Sequence, residues 1–93
     1  MDTRFSDVPD SNRYELRAGD ELVGFIDYRL DGDVIRLVHT EVGSEFSGQG
    51  HASTLARSAL DDARSRGLAV RPDCPYIASY IDKHPQYADL VAA

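Results

Sequence analysis

Apolar residues alternate with polar ones along the first half of the chain and recur every three or four positions along the second, so strands should precede helices. Tyr14 and Leu16 alternate with Glu15 and Arg17, the pattern of a short half-buried strand, and Gly19-Asp20 supplies turn residues behind it. A second strand is expected from Glu21 to Leu30. Asp31-Gly32 then reads as a two-residue hairpin loop, since a type I′ turn needs positive φ at both central positions. That register sets Leu30 opposite Asp33, Tyr28 opposite Ile35, Asp27 opposite Arg36, Ile26 opposite Leu37 and Gly24 opposite His39. It gathers Tyr28, Ile26, Ile35 and Leu37 on one face, makes Asp27 and Arg36 a cross-strand ion pair, and leaves His39 and Glu41 sharing a face near the strand's end.

From Gly48 to Arg66 the apolar positions are Ala52, Leu55, Ala56, Ala59, Leu60 and Ala63, the spacing of an amphipathic helix, and Gly67 closes it. Its alanines allow close approach to a sheet, while Arg57, Asp61, Asp62 and Arg64 face water. Ser44 or Ser47 can cap its start. Leu68 to Val70 is a short apolar run ended by Arg71-Pro72; as a strand parallel to the one ending near Val42 it completes a βαβ unit. Cys74-Pro75 opens a second helix, Pro75 to about Lys83, with Pro at the favoured first position. His84-Pro85 stops that helix, and Tyr87, Leu90 and Val91 pack back on the core. Met1 to Asn12 is polar, carries Pro9 and has no period, so residues 1–12 read as a flexible arm ahead of a single domain, residues 13–93. The fold class expected is α/β (α+β): antiparallel hairpin strands leading into a βαβ unit, with two helices on a mixed sheet.

Ninety-three residues hold one core, and 42% hydrophobic with 28% charged residues suits a globular chain. The net charge is −6, and nine arginines with one lysine, Lys83, are spread along the sequence without a basic cluster. Nucleic acid is therefore not an expected partner, whereas an acidic surface tolerates a cationic substrate such as an amine or a basic peptide. A lone Cys74 excludes an internal disulfide and a cysteine zinc cage, and the three histidines lack carboxylates at ligand spacing, so no metal is expected. No apolar run approaches the roughly 20 residues of a membrane span, and the N-terminus lacks a signal-peptide core; no membrane association and a cytoplasmic location are expected.

Candidate chemistry concentrates at Val38 to Ala52, VHTEVGSEFSGQGHA, where a strand, a loop with two glycines and a helix start follow one another. A helix leaves its first N–H groups unpaired and carries partial positive charge there, and Gly48 and Gly50 have no Cβ to keep a ligand away. The stretch is therefore a candidate pyrophosphate seat.

Ser47-Gly48-Gln49-Gly50-His51-Ala52 resembles the phosphate loop of the GCN5-related N-acetyltransferases, Q/R-x-x-G-x-G/A. Further likeness to small single-domain members lies in His39-Thr40-Glu41-Val42, Pro72-Asp73-Cys74-Pro75-Tyr76, His84-Pro85-Gln86-Tyr87 and Asp89-Leu90-Val91, so the resemblance covers about Tyr14 to Val91. It implies acetyl-CoA as donor, with Ser47 to Ala52 holding its phosphates, the pantetheine arm along Thr40 to Val42, and an acceptor face left open. Ser47 stands where the family usually has Arg or Gln, and His51 where an apolar residue is common; the backbone donors remain, so weaker rather than absent coenzyme A binding is expected.

The remaining candidates each carry two readings. His39 and Glu41 are either polar strand-end residues or the catalytic base; imidazole, near pKa 6.5, suits that task better than a carboxylate near 4.3. Tyr76 and Tyr80, four apart on one helix face, either pack the second helix or line the cofactor site, one phenol protonating the leaving thiolate as Tyr does in the wider family. Cys74 is either a buried inert thiol or a site residue, and in the latter case either accepts the acetyl group or lines the thioester pocket. The function so implied is acetyl-CoA-dependent transfer to an amine acceptor, including protein or peptide amines; the alternative is a coenzyme A or acyl-CoA-binding module with little or no catalysis.

Overall fold

In the computed structural model, which describes residues 2–92, five strands run in the order of the chain: β1 (Arg4–Val8), β2 (Arg13–Ala18), β3 (Glu21–Asp31), β4 (Val34–Val42) and β5 (Ala69–Pro72). β1 to β4 form an antiparallel meander, and β5 lies parallel to β4 after the crossover through α1 (His51–Ser65). α2 (Pro75–Lys83) follows β5, and a 3-10 turn, Pro85–Leu90, brings the chain back so that Val91 forms a parallel bridge to Val70. The mixed sheet, its βαβ unit and the two helices are those expected.

Three expectations are corrected. Residues 4–8 are not a loose arm: they form the edge strand β1, held to β2 in register from Arg4 opposite Arg17 to Val8 opposite Arg13, and Phe5 stacks on Tyr14 at 5.0 Å. The β3–β4 hairpin turns about Gly32-Asp33, one residue later than expected, with Asp31 opposite Val34. Only Gly32 has positive φ there, 62°, so Asp31 is spared the left-handed backbone that a type I′ turn at Asp31-Gly32 would have imposed on it. Pairing moves by two residues, which preserves the faces: Tyr28, Ile26, Ile35 and Leu37 are all buried. A bulge then leaves Val38 unpaired and brings His39 opposite Asp27 and Val42 opposite Gly24, so neither Asp27–Arg36 nor Gly24–His39 is a pair. Finally, α1 begins at His51 with Gly50 as its cap residue; Ser47 caps nothing, its hydroxyl donating instead to the Ser44 carbonyl at 2.9 Å.

The core lies between one sheet face and both helices. Leu55, Ala56, Ala59, Leu60 and Ala63 of α1 and Ile77 and Ile81 of α2 cover Leu16, Ile26, Ile35, Leu37 and Val70. Full burial of a leucine such as Leu55 or Leu60 contributes about 1.5–3 kcal/mol. Tyr87 and Leu90 join this core as expected, but Val91 stays 40% exposed. Among the described residues no helix lies over the opposite sheet face, which is mostly polar, and Glu15 is its one buried charge, clamped between Arg13 at 2.7 Å and Arg17 at 3.0 Å. Burial opposes ionisation of Glu15, but the two guanidinium bonds outweigh it and hold the carboxyl below its ordinary value.

Candidate active site

β4 is longer than its parallel neighbour, and the site begins where pairing stops. The last bond between them is from the Cys74 N–H to the Leu37 carbonyl, 2.9 Å; beyond it the chain turns into α2, while β4 runs on to Val42 with no strand on that side. A cleft of about 220 Å³ opens at this end, lined by Val42, Phe46, Ser47, Gly48, Gly50, His51, Ala52, Ser53 and Tyr76. A larger hollow, about 330 Å³, lies at the far end of α1 between Arg64, Leu68 and Asp89 and contains none of the candidate residues.

The loop supplies the cleft with donors. Gly48 and Gly50 take φ of 78° and 79°, angles that side-chain-bearing residues seldom adopt, and a Cβ on either would meet nothing within 4 Å. Glycine is required here by the backbone, and the space before it is left to a ligand. Among the described residues no acceptor is met by the backbone N–H groups of Gly48 to Ser53, no side chain caps α1, and its first turn holds no carboxylate. An anion at this end gains both hydrogen bonds and the helix dipole. Gln49 is tied to the ring of His51, Oε1 to Nε2 at 3.2 Å, and that ring meets the edge of Phe46. The donor set and the cleft fit the pyrophosphate and pantetheine of coenzyme A.

Cys74 sits at the cap of α2, 5% exposed, with Sγ 3.5 Å from Thr40 Oγ1. Burial alone would raise its pKa. The Thr40 hydroxyl and the backbone N–H groups of Ile77, Tyr76 and Thr40 together outweigh burial, and the thiol lies below its ordinary value. Thr40 turns toward Cys74 and Val42 lines the cleft, on the side where the expected register puts His39 and Glu41. The bulge turns His39 and Glu41 onto the open face instead, where Nε2 of His39 lies 3.3 Å from Oε1 of Glu41 and the imidazole neighbours the ring of Phe25 at 6.2 Å. The expected meeting of Cys74 with Glu41 is therefore not made directly; the strand itself runs between them.

Tyr76 and Tyr80 part company. Tyr76 is 39% exposed on the cleft, its pKa raised by burial and then by Tyr80, whereas Tyr80 is buried and stacks on His84 with ring centroids 3.9 Å apart. Tyr80 is a packing residue rather than a cleft residue. Phe46 and Ser53 line the cleft although sequence reasoning passed over them; an aromatic residue in a polar loop and a hydroxyl at the third position of a helix were the available signals. Among the described residues no group of three or more His, Cys, Asp or Glu could hold a metal ion, and no helix is long and apolar enough to cross a membrane.

A profile of the GCN5-related N-acetyl-transferase family matches residues 13–90. The NATD1 protein of Homo sapiens is 36% identical over 52 residues, 56% of this chain and 46% of that protein, so the chain spans about half the length of the curated relatives it matches. A GCN5-like protein from Staphylococcus aureus, solved by NMR, superposes with a TM-score of 0.73 at 23% identity over 97% of this chain and 88% of that one. The PaiA N-acetyltransferase of Thermoplasma acidophilum, solved in complex with coenzyme A, gives 0.59 at 18% identity over 77% of this chain and 48% of its own. These structural likenesses establish the fold, and the profile match establishes the kinship: the chain belongs to the GCN5-related N-acetyltransferase family.

Proposed function

We propose that the chain moves the acetyl group of acetyl-CoA to an amine, including amines of proteins or peptides. The observation that carries this reading is the cleft itself, in which unpartnered N–H groups at Gly48 to Ser53 and the open edge of β4 beyond Leu37 meet beside Thr40 and Cys74. The loop donors suit a pyrophosphate, and the backbone of Val38 to Val42 suits the amides of a pantetheine arm laid along it. Transfer forms a bond from the amine nitrogen to the acetyl carbon and breaks the bond from that carbon to the coenzyme A sulfur. The amine must shed a proton and the sulfur must gain one. His39, braced by Glu41, takes the first on the open face; the phenol of Tyr76, which stands on the cleft, returns one on that side.

Cys74 has two roles compatible with its place: it lines the thioester pocket, or its sulfur accepts the acetyl group as coenzyme A leaves and then yields it to the amine. The test combines mass spectrometry of ligand released from purified protein, an acetyl-CoA turnover assay over a mixed amine panel, and intact-protein mass after acetyl-CoA treatment. Bound coenzyme A with turnover is expected, and coenzyme A binding without turnover on any amine removes the enzymatic reading in favour of an acyl-CoA-binding module. A gain of one acetyl group, lost on adding amine and absent in Cys74→Ser, supports the covalent role. Full turnover by Cys74→Ala removes the thiol from the chemistry.

A further inference from the structure

Three arginines far apart in the sequence meet on the uncovered face of the sheet. The register sets Arg29 of β3 opposite Arg36 of β4, and Arg36 opposite Arg71 of β5. Their neighbours Tyr28, Ile35, Leu37 and Val70 are buried on the helix side, so all three guanidinium groups stand on the open face. Adjacent strands lie about 4.8 Å apart, which gives the row a span of about 10 Å. Like charges directly opposite one another destabilise a sheet. Only Arg36 is relieved, by Asp73 at 2.8 Å; Arg29 and Arg71 are exposed and form no ion pair among the described residues, and Asp27 and Asp31, which flank Arg29 on its own strand, do not come within ion-pair distance of it. In a chain of net charge −6, two exposed guanidinium groups of this row thus stand without an ion-pair partner among the described residues. The row shares its face with His39 and Glu41, Arg36 lying three residues before His39, or about 10 Å along β4.

We propose that the Arg29–Arg36–Arg71 row docks an acidic segment of the acetyl-accepting protein, an inference that rests on the reading of the chain as an amine acetyltransferase. An extended acceptor whose amine reaches His39 would carry its Asp or Glu side chains to the row about three residues away, since a residue advances about 3.3 Å. The row runs across the strands, so the acceptor turns across them there, and a short run of carboxylates then matches the row's span of about 10 Å. A continuous phosphate backbone does not, because it would meet Asp27 and Glu41 on one side and Asp31 on the other.

Two fluorescein-labelled peptides test this, each with one lysine, followed three residues later by three glutamates in one and three glutamines in the other. The full chain should bind the acidic peptide about tenfold more tightly and acetylate it with a correspondingly lower KM, and the advantage should shrink as salt is raised. The double variant Arg29→Gln/Arg71→Gln should lose that advantage while its kcat and coenzyme A affinity stay within about twofold of the wild type. Should the double variant fail to fold, Arg71→Gln alone is read, with about a threefold loss of preference expected. Equal affinity of the wild type for both peptides, or a preference that survives in the folded variants, overturns the proposal; so does a single-stranded oligonucleotide that displaces the acidic peptide at lower concentration. A preference that the double variant abolishes, with no acetyl transfer to either peptide or to any amine of the mixed panel, supports the docking surface and removes only the acetyltransferase reading.

Discussion

The last turn of α1 is bonded on every side, and its first turn is bonded to almost nothing. At the C-terminal end Arg64 forks onto both oxygens of Asp89 at 2.9 and 3.0 Å and reaches the Gln86 carbonyl at 2.8 Å. Arg66 joins Asp62 at 3.1 Å to Asp7 at 3.2 Å, and the buried phenols of Tyr14 and Tyr28 donate to those same carboxylates at 2.7 and 2.6 Å. Gly67, at φ 68°, lets the Leu68 N–H reach back to the Ala63 carbonyl and close the helix. The N-terminal end has a glycine where Ser, Thr, Asp or Asn would add a side-chain cap worth a few tenths of a kcal/mol, and no acid in its first turn. The bare end is the one at which we propose that the phosphates of coenzyme A sit.

The sharpest way to break this comparison is to fill the bare end. Gly50→Val places a branched side chain in the left-handed region and in the open space of the cleft, and should weaken coenzyme A binding about 100-fold or more, about 2.8 kcal/mol, by calorimetry. The backbone strain alone costs about 1–2 kcal/mol of stability, so a urea titration of the same protein separates loss of the seat from loss of the fold. Unchanged affinity in the folded variant would place the phosphates elsewhere.

Loosening the secured end should instead cost stability and spare binding. Tyr14→Phe removes a buried hydrogen bond to the Asp62 carboxylate, worth about 1–3 kcal/mol, and should lower the melting temperature with coenzyme A affinity unchanged. This end should also yield to alkali. Burial first, and then the bond to Asp7, push the Tyr28 phenol from 10.0 to about 12. A raised folded pKa contributes stability that is complete below pH 10 and drains away as pH rises from about 10 to about 12. Denaturant midpoints should therefore fall across that window in the wild type and fall less in Tyr28→Phe; identical profiles would mean that the phenol is not held as described.

The smallest effect has opposite signs at the two levels. Ser53→Asp adds a carboxylate to the first turn of α1, which should stabilise the helix by about 0.3–1 kcal/mol while repelling a bound pyrophosphate and weakening coenzyme A binding about fivefold. A variant that gains in both respects would argue that this helix end holds no anion.

Elements whose signal is local were legible in the sequence. The period of α1, the Pro75 start of α2 and the His84-Pro85 stop depend on residues within one turn of each other, and the structure places α2 at Pro75–Lys83 as expected. The glycine loop was legible for the same reason: a backbone that must take positive φ writes its need into the residues at those positions. β1 was not, because Arg4 to Val8 has no apolar period and is held by β2 and by the Asp7–Tyr28 bond, partners outside its own stretch. Nor was the helix start at His51, since Gly50 caps it through its conformation and not through a side chain.

The sequence by itself determined the order of elements from β2 onward, the buried faces of both helices and of the strands up to Leu37, and the place of the glycine loop, because burial and turn chemistry act between near neighbours. Only the tertiary structure decided which face the chemistry occupies. The one-residue bulge at Val38 is invisible in the alternation of β4, yet it turns His39 and Glu41 away from Cys74 and leaves Thr40 facing it. Likewise, arginines at 29, 36 and 71 form no cluster along the chain; strand register, fixed by the hairpin turn and by the parallel return of β5, brings them into one row.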